Sequence, residues 1–479
     1  TVFNTKQVDF DGLDDFLDVG NVSAFDFTSS FTISAWIKPS GSTTYNAIVS
    51  KYTNNKGYWL ILNSGRVRMK LEGTSTIDTT SQGADLRDGN WHHIVAVNTT
   101  SDIKLFVDGV LVNTTTGTWT PNAATSDNLL VGQRSGVDNF NGEISQTGIF
   151  NSTLTADEVS SLYNHGLPID LSTDQAAYES SSNLVGYWRM GSGTLDSYPL
   201  IADQTNATLG SELVVNGDFA NGTTNWTVSN GTISIDNDRL KIDGISGATA
   251  EQAVTAIIGK TYKVTYSFTL GTATSGALII TGGNYPTLNA PQGTNTFYTT
   301  ATQTNLRVRP RIGSNGTMFV DNVSVKQVNG NPAIMTNMTA SDIENGSPYA
   351  NVVQQSDFAN GDNWYEGTGC NISGGKAIWT SAPSGSGFTG DNSNAGICTV
   401  GKTYKVTFTI DSISEGALKI RKPFNSSVQY TSAGTYSETV VAAETDIYIQ
   451  NQGTTTATVD NLTVEEVNTG LQGYWKMGS

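Results

Sequence analysis

Three short phrases recur in the same order between residues 218 and 464, and no other feature constrains the fold of this chain so tightly. Asp218-Phe219-Ala220-Asn221-Gly222 returns as Asp357-Phe358-Ala359-Asn360-Gly361, and each copy is followed closely by a tryptophan, Trp226 or Trp364. Gly259-Lys260-Thr261-Tyr262-Lys263-Val264-Thr265 returns at 401–407. Val320-Asp321-Asn322-Val323-Ser324-Val325 returns as Val459-Asp460-Asn461-Leu462-Thr463-Val464, at the same offset as the first phrase. Ordered landmarks at a shared period mean two copies of one module, here 212–328 and 351–467. A second repeat lies outside them: Gly186-Tyr187-Trp188-Arg189-Met190-Gly191-Ser192 matches Gly473-Tyr474-Trp475-Lys476-Met477-Gly478-Ser479. It predicts a connector at 169–211, a linker at 329–350, the start of another connector at 468–479, and a modular pattern that continues beyond this chain.

With 479 residues and about 100–200 per domain, the chain has room for two to four domains. It is rich in Gly (50 residues), Thr, Ser and Asn and poor in helix formers, which predicts an all-β protein. Asp and Glu number 43 against 26 Lys and Arg, and a net charge of −17 repels nucleic acid and anionic membrane surfaces. No apolar run reaches 18 residues, so no helix able to cross a bilayer is expected. The segment beginning Thr1-Val2-Phe3-Asn4 lacks the basic and apolar regions of a secretion signal, and suits a mature form, a fragment or a protein that used none. Cys370 and Cys398 are too few for a disulfide scaffold, and a local bridge between them is left open.

Period-two alternation marks Phe31-Thr32-Ile33-Ser34-Ala35-Trp36-Ile37, Lys104-Leu105-Phe106-Val107 before the Asp108-Gly109 turn, and Tyr262 to Phe268 as half-buried antiparallel strands. One helix is predicted, opened by a capping box of Thr155 and Glu158 and ended by Gly166 and Pro168. It closes the first domain near residue 168.

The segment 1–168 carries Val8-Asp9-Phe10-Asp11-Gly12, Asp88-Gly89-Asn90-Trp91-His92-His93-Ile94-Val95 and Phe140-Asn141-Gly142-Glu143-Ile144 in order, followed by the capped helix. This set resembles the laminin G-like domains of the concanavalin A-like jelly-roll superfamily, with Ser145-Gln146 in place of the family's Asp-Glu. The repeated module resembles the β-sandwich carbohydrate-binding modules that accompany cellulases and xylanases, through Asn216-Gly217-Asp218-Phe219 and Asp321-Asn322-Val323-Ser324. Ala220 and Ala359 replace the acid usual after Phe. The phrase Leu184 to Gly191, with Ser197-Tyr198-Pro199, is similar to connectors in modular virion proteins of marine tailed phages. Together these resemblances imply three β-sandwich (jelly-roll) domains in series.

Jelly-roll glycosidases need two carboxylates about 5–9.5 Å apart, usually alternating on one strand, and no such strand is found. Glu143 has no second acid beside it. His92 and His93 read as structural imidazoles, and His165 as a helix-terminal charge. Aromatic rings bind sugars by stacking on their C–H faces. The candidates are Tyr58 and Trp59 in the first domain, Trp226 and Tyr285 in the second, and Trp364, Tyr365 and Trp379 in the third. The shared position of Trp226 and Trp364 is also what a common core plug requires. No cofactor is required, but structural calcium is a candidate: Asp218 with Asp321, Asp357 with Asp460, and Asp11 with Asp14 and Asp15 could supply carboxylate oxygens, the alternative being Asp side chains that cap their own turns.

These readings point to a non-enzymatic virion structural protein, in a fibre or on a capsid, that displays glycan-binding modules at the virion surface. Its expected partners are glycans or host cell-surface polysaccharide, other virion proteins and further copies of itself, and neither nucleic acid nor membrane. The alternatives are a secreted bacterial adhesin or polysaccharide-binding accessory protein, and a jelly-roll glycoside hydrolase.

Overall fold

The computed structural model describes residues 6–41, 43–121, 126–134, 136–166, 168–284, 291–345, 364–390, 398, 400–401, 403–422 and 427–467. The protein is almost entirely β, built of sheets packed as sandwiches, with one α-helix among the described residues, Ala156–Tyr163. That helix opens as its sequence predicts. Thr155 accepts from the Glu158 amide, the Glu158 carboxylate accepts from the Thr155 amide, and Asn164 ends the helix in a left-handed conformation.

The first sandwich has two sheets. One has eight strands, with Val110–Thr116 at one edge, then Asp102–Val107, His92–Asn98, Phe31–Pro39, Asn141–Phe150, Lys6–Asp11 and Ile343–Asn345, while Leu184–Trp188 also pairs with Asn141–Phe150. The other has nine, ordered Thr120–Pro121, Arg66–Ser75, Lys56–Asn63, Tyr45–Thr53, Leu129–Val131, Phe16–Gly20, Ala333–Thr336 and Leu200–Ile201, with Ile77–Asp78 pairing beside Arg66–Ser75. Between them lies one apolar core that includes Phe10, Leu17, Phe31, Ile33, Leu60, Met69, Ile94 and Trp188.

The segments read from the sequence as a connector and a linker therefore pair into these two sheets. Trp188 sits opposite Thr147, Met335 opposite Leu17, and Lys6 opposite Asn345. Both segments end beside the second sandwich, where Leu209 pairs with Val328. Leu200, Ala202, Tyr298 and Val328 form a small apolar cluster at this junction.

In the second sandwich the strand Arg239–Thr255 is long enough to serve both layers. Its first half pairs with Gly316–Val328 and its second half with Asn305–Ile312. The third sandwich repeats this register. In the second, Thr265 faces Ser324 and Ser267 faces Asp321, so Asn322-Val323 bulge opposite Tyr266; in the third, Thr407 faces Thr463 and Thr409 faces Asp460, so Asn461-Leu462 bulge opposite Phe408. The rings of Tyr266 and Phe408, opposite the bulges, are buried in their cores. The extra residue, Asn322 or Asn461 in a left-handed conformation at φ 52°, turns the strand, so the recurring Val-Asp-Asn phrase encodes the bulge as well as the strand.

Candidate functional site

The two outer faces of the first sandwich differ. That of the eight-stranded sheet is covered, since Val95, Val97, Phe106 and Phe150 pack beneath Leu154, Val159, Leu162, Ile169, Leu171, Tyr178 and Tyr187. That of the nine-stranded sheet carries an open depression. Directly opposed residues share a face, and one such row runs across five strands: Lys70, Trp59, Ser50, Leu130 and Asp18. Strands lie about 4.8 Å apart, so the row spans about 19 Å.

Two adjoining hollows lie along it and share Tyr52. One, of about 540 Å3, is lined by Asp18, Ser50, Asp127, Asn128 and Gln133 among others; the other, of about 320 Å3, is lined by Tyr45, Asn55, Trp59, Arg68, Glu72 and Arg134 among others. Trp59 is 3% exposed and forms the floor. The Arg134 guanidinium lies 4.5 Å from the centre of its ring and that of Arg68 5.2 Å, while the Trp59 indole N–H has no hydrogen-bond acceptor among the described residues. Tyr45, 39% exposed, stands at the rim.

Each cation here has its own carboxylate. Arg68 donates to both oxygens of Asp78 at 2.9 and 2.6 Å, Lys70 pairs with Glu72, and Arg134 pairs with Asp138. Burial opposes the charge of Asp78, yet the Arg68 hydrogen bonds hold its carboxyl below the ordinary value. The floor is thus polar but balanced in charge. At the far end, burial raises the Asp18 carboxyl, whose oxygens accept from the Gly20 amide at 2.8 Å and from Asn128 at 3.0 Å. Lys51, 1% exposed, reaches Asp26 at 3.1 Å, Asn21 at 2.8 Å and the Asp127 carbonyl at 2.7 Å, which ties the loop at the hollow's wall to the sheet.

Of the sugar-stacking candidates, Trp59 alone lines this depression. Tyr58 points the other way, into the core, where its hydroxyl donates to the Phe25 carbonyl. Trp226 packs on Phe219 at 5.4 Å and donates to the Asn216 carbonyl, and Trp364 and Trp379 are core residues of the third sandwich. Tyr365 is 70% exposed, and Tyr285 lies outside the described residues. Sequence reasoning missed Tyr45, Tyr52 and Arg134. Arg68 was missed as well, and for it the alternation Arg66-Val67-Arg68-Met69-Lys70-Leu71 was the available signal, since it sets cations on one face beside the strand that holds Trp59.

The calcium candidates divide. Asp11, Asp14 and Asp15 place one carboxylate oxygen each within 4.8 Å of the others. Burial, with the charges of Asp11, Asp342 and Asp14, pushes the Asp15 carboxyl up to about 6, against an opposing bond from the Asp11 amide. Hard oxygens in this mutual repulsion fit calcium. The other pairs fit less well. Asp218 caps Ala220 and Asp321 caps Asn322, and neither joins a cluster of three ligands among the described residues. Asp460 faces the Lys376 ammonium at 3.7 Å, and Asp357 lies outside the described residues. Cys370 and Cys398 are not bridged to each other.

Among the remaining groups, Glu143 pairs with Lys38 at 3.3 Å. His93 is buried against Ser34, and burial holds its imidazole down to about 4. His92 bridges Asp88 and Asp108, whose bonds outweigh burial and raise it.

Residues 11–160 match the laminin G-like family model described as the concanavalin A-like lectin/glucanases superfamily. The first sandwich is accordingly a concanavalin A-like jelly roll. Comparison with curated proteins gave no match. Among solved structures, a candidate carbohydrate-binding protein from Bacteroides ovatus aligns at 17% identity and TM-score 0.33 over 42% of this chain and 56% of its own. The carbohydrate-binding module CBM40 of a Ruminococcus gnavus sialidase aligns at 18% identity and TM-score 0.28 over 33% of this chain and 99% of its own. A pentraxin from Limulus polyphemus aligns at 17% and 0.27, over 34% and 84%. This chain thus spans 56% of the length of the first of them, and likenesses at this level leave the ligand to be argued from the residues.

Proposed function

We propose that the chain is a non-enzymatic, modular binding protein whose first sandwich holds a neutral glycan across the open face of its nine-stranded sheet. The observation that carries this reading is the depression itself: aromatic floor and rim from Trp59, Tyr45 and Tyr52, beside hydroxyl and amide groups from Ser50, Asn55, Asn128 and Gln133. A sugar ring is apolar on its C–H faces and polar at its edges, which suits a site that is mostly aromatic with a few placed polar groups. The paired charges of Arg68, Lys70 and Arg134 favour an uncharged ligand. Turnover is disfavoured because two of the three carboxylates lining the hollows are held by other groups, Glu72 by the Lys70 ammonium and Asp18 by the Gly20 amide and Asn128.

Glycan-array binding followed by calorimetry tests the site. Tyr52→Ala and Arg134→Ala should each weaken binding tenfold or more with an unchanged circular dichroism spectrum; an intact chain blind to every neutral glycan would sink the reading. Release of reducing ends from a polysaccharide, abolished by Asp18→Asn, would make the protein an enzyme. The finer reading, a phage virion component that presents many copies to a cell surface, is supported by the similarity of Leu184 to Gly191 to phage connectors and by the repeated module, since weak sites gain strength when many engage together. Labelled antibodies against this chain should decorate virus particles in micrographs of a producing culture; decoration of secreted material or cell surfaces alone would replace the virion with an adhesin.

A further inference from the structure

The second sandwich carries a feature that the groove on the first does not account for. Its strand Asn305–Ile312 alternates Leu306, Val308 and Ile312 into the core with Arg307, Arg309 and Arg311 on the outer face. These three guanidinium groups stand in single file, spaced by two strand residues or about 6.7 Å. Among the described residues one acid answers them: Glu251 reaches Arg307 at 2.8 Å and Arg309 at 2.9 Å. Arg307 is 59% and Arg309 34% exposed at the side chain, and Arg311 is exposed. The flanking strands present Ala277, Ile279 and Thr281 on one side and Thr249 and Ala253 on the other, directly opposite these arginines. The face is therefore low, with no aromatic ring among these cross-strand neighbours.

The charge balance of this module sets it apart. Residues 212–328 hold eight Lys and Arg against seven Asp and Glu, whereas the whole chain has 26 against 43. Cations are concentrated on this strand in a protein otherwise acidic.

We infer that the Arg307–Arg309–Arg311 face binds an acidic polysaccharide, one bearing a carboxylate at regular intervals along a linear chain, at a site separate from the proposed groove. A planar guanidinium meets a carboxylate through two parallel hydrogen bonds, and a straight row of them on a flat strand matches a straight polymer with periodic charge. The small neighbours leave the polymer room to lie along the strand. Nucleic acid is the poorer occupant, because these cross-strand neighbours offer its bases no ring to stack on and the net charge of −17 repels its phosphates.

The test uses the full chain, with polygalacturonate as the acidic probe and unsubstituted galactan as the neutral one, read by biolayer interferometry at two salt concentrations. Polygalacturonate should bind, more weakly as salt rises. Arg307→Gln/Arg311→Gln should weaken it at least tenfold, and Lys263→Gln/Lys326→Gln, an equal change of charge on other strands of the same sandwich, less than twofold. Glu251→Gln, which frees two guanidinium groups, should strengthen binding severalfold. Equal loss in both double variants, no binding of polygalacturonate, equal or tighter binding of an oligothymidylate, or an arginine-dependent dimer in sedimentation would each overturn the inference. Because the groove variants Tyr52→Ala and Arg134→Ala should leave polygalacturonate binding intact, failure of the neutral-glycan reading and failure of this one are told apart.

Discussion

Trp188 joins parts of the first sandwich that are far apart in sequence. It is fully buried, its ring lies 6.0 Å from that of Phe25, and its indole N–H donates to the carbonyl of the distant Asn331. Trp188→Ala should lower unfolding free energy by about 3–5 kcal/mol, measured by urea denaturation. Asp15 gives a pH signature. Its folded carboxyl titrates near 6 and its unfolded one near 3.8, so between those values the folded state holds the extra proton and stability falls as pH rises. Asp15→Asn should flatten the fall in melting temperature from pH 4 to 6, and calcium bound by Asp11, Asp14 and Asp15 should raise the melting temperature of the parent chain at pH 7, an effect that chelator reverses. The sequence could nominate Tyr58 and Trp59 together but could not separate them. Alternation sends neighbours to opposite faces, yet Tyr58-Trp59-Leu60-Ile61-Leu62 is apolar on both, because Trp59 and Ile61 form a small apolar patch with Ala47 on the outer side.

At the scale of elements, what could be read depended on whether the signal was local. The helix Ala156–Tyr163 was legible because its capping box runs only from Thr155 to Glu158. The strands Ala333–Thr336 and Ile343–Asn345 were not, since such short strands show no period and their partners, Phe16–Gly20 and Lys6–Asp11, lie close to the start of the sequence. They read as a linker for that reason. Yet the Met335 amide donates to the Pro199 carbonyl at 2.8 Å, and Ala333 and Met335 belong to the first core. Met335→Pro removes that donor from an interior strand and should bring the first sandwich's unfolding transition several degrees lower in calorimetry. A chain ending at residue 328 should show the same loss, while one ending at 345 should keep the transition of the full protein.

At the scale of the molecule, the repeat marks two related modules, but nothing in it says that the chain returns to its first sandwich between them. That return makes the second sandwich an insertion, entered near Leu209 and left near Val328 on paired strands. Replacing 212–325 with a short Gly-Ser segment should leave the first sandwich's calorimetric transition within a few degrees of its original temperature and delete one other transition. The same arrangement decides where a pull on the protein is felt. Lys6 and Asn345 face each other on neighbouring antiparallel strands, so tension applied there opens the Lys6–Val8 and Ile343–Asn345 ladder one rung at a time, like a zipper, instead of shearing its bonds together. The inserted sandwich hangs outside that line of force, so load on a tether falls first on this ladder and not on the module with the arginine row.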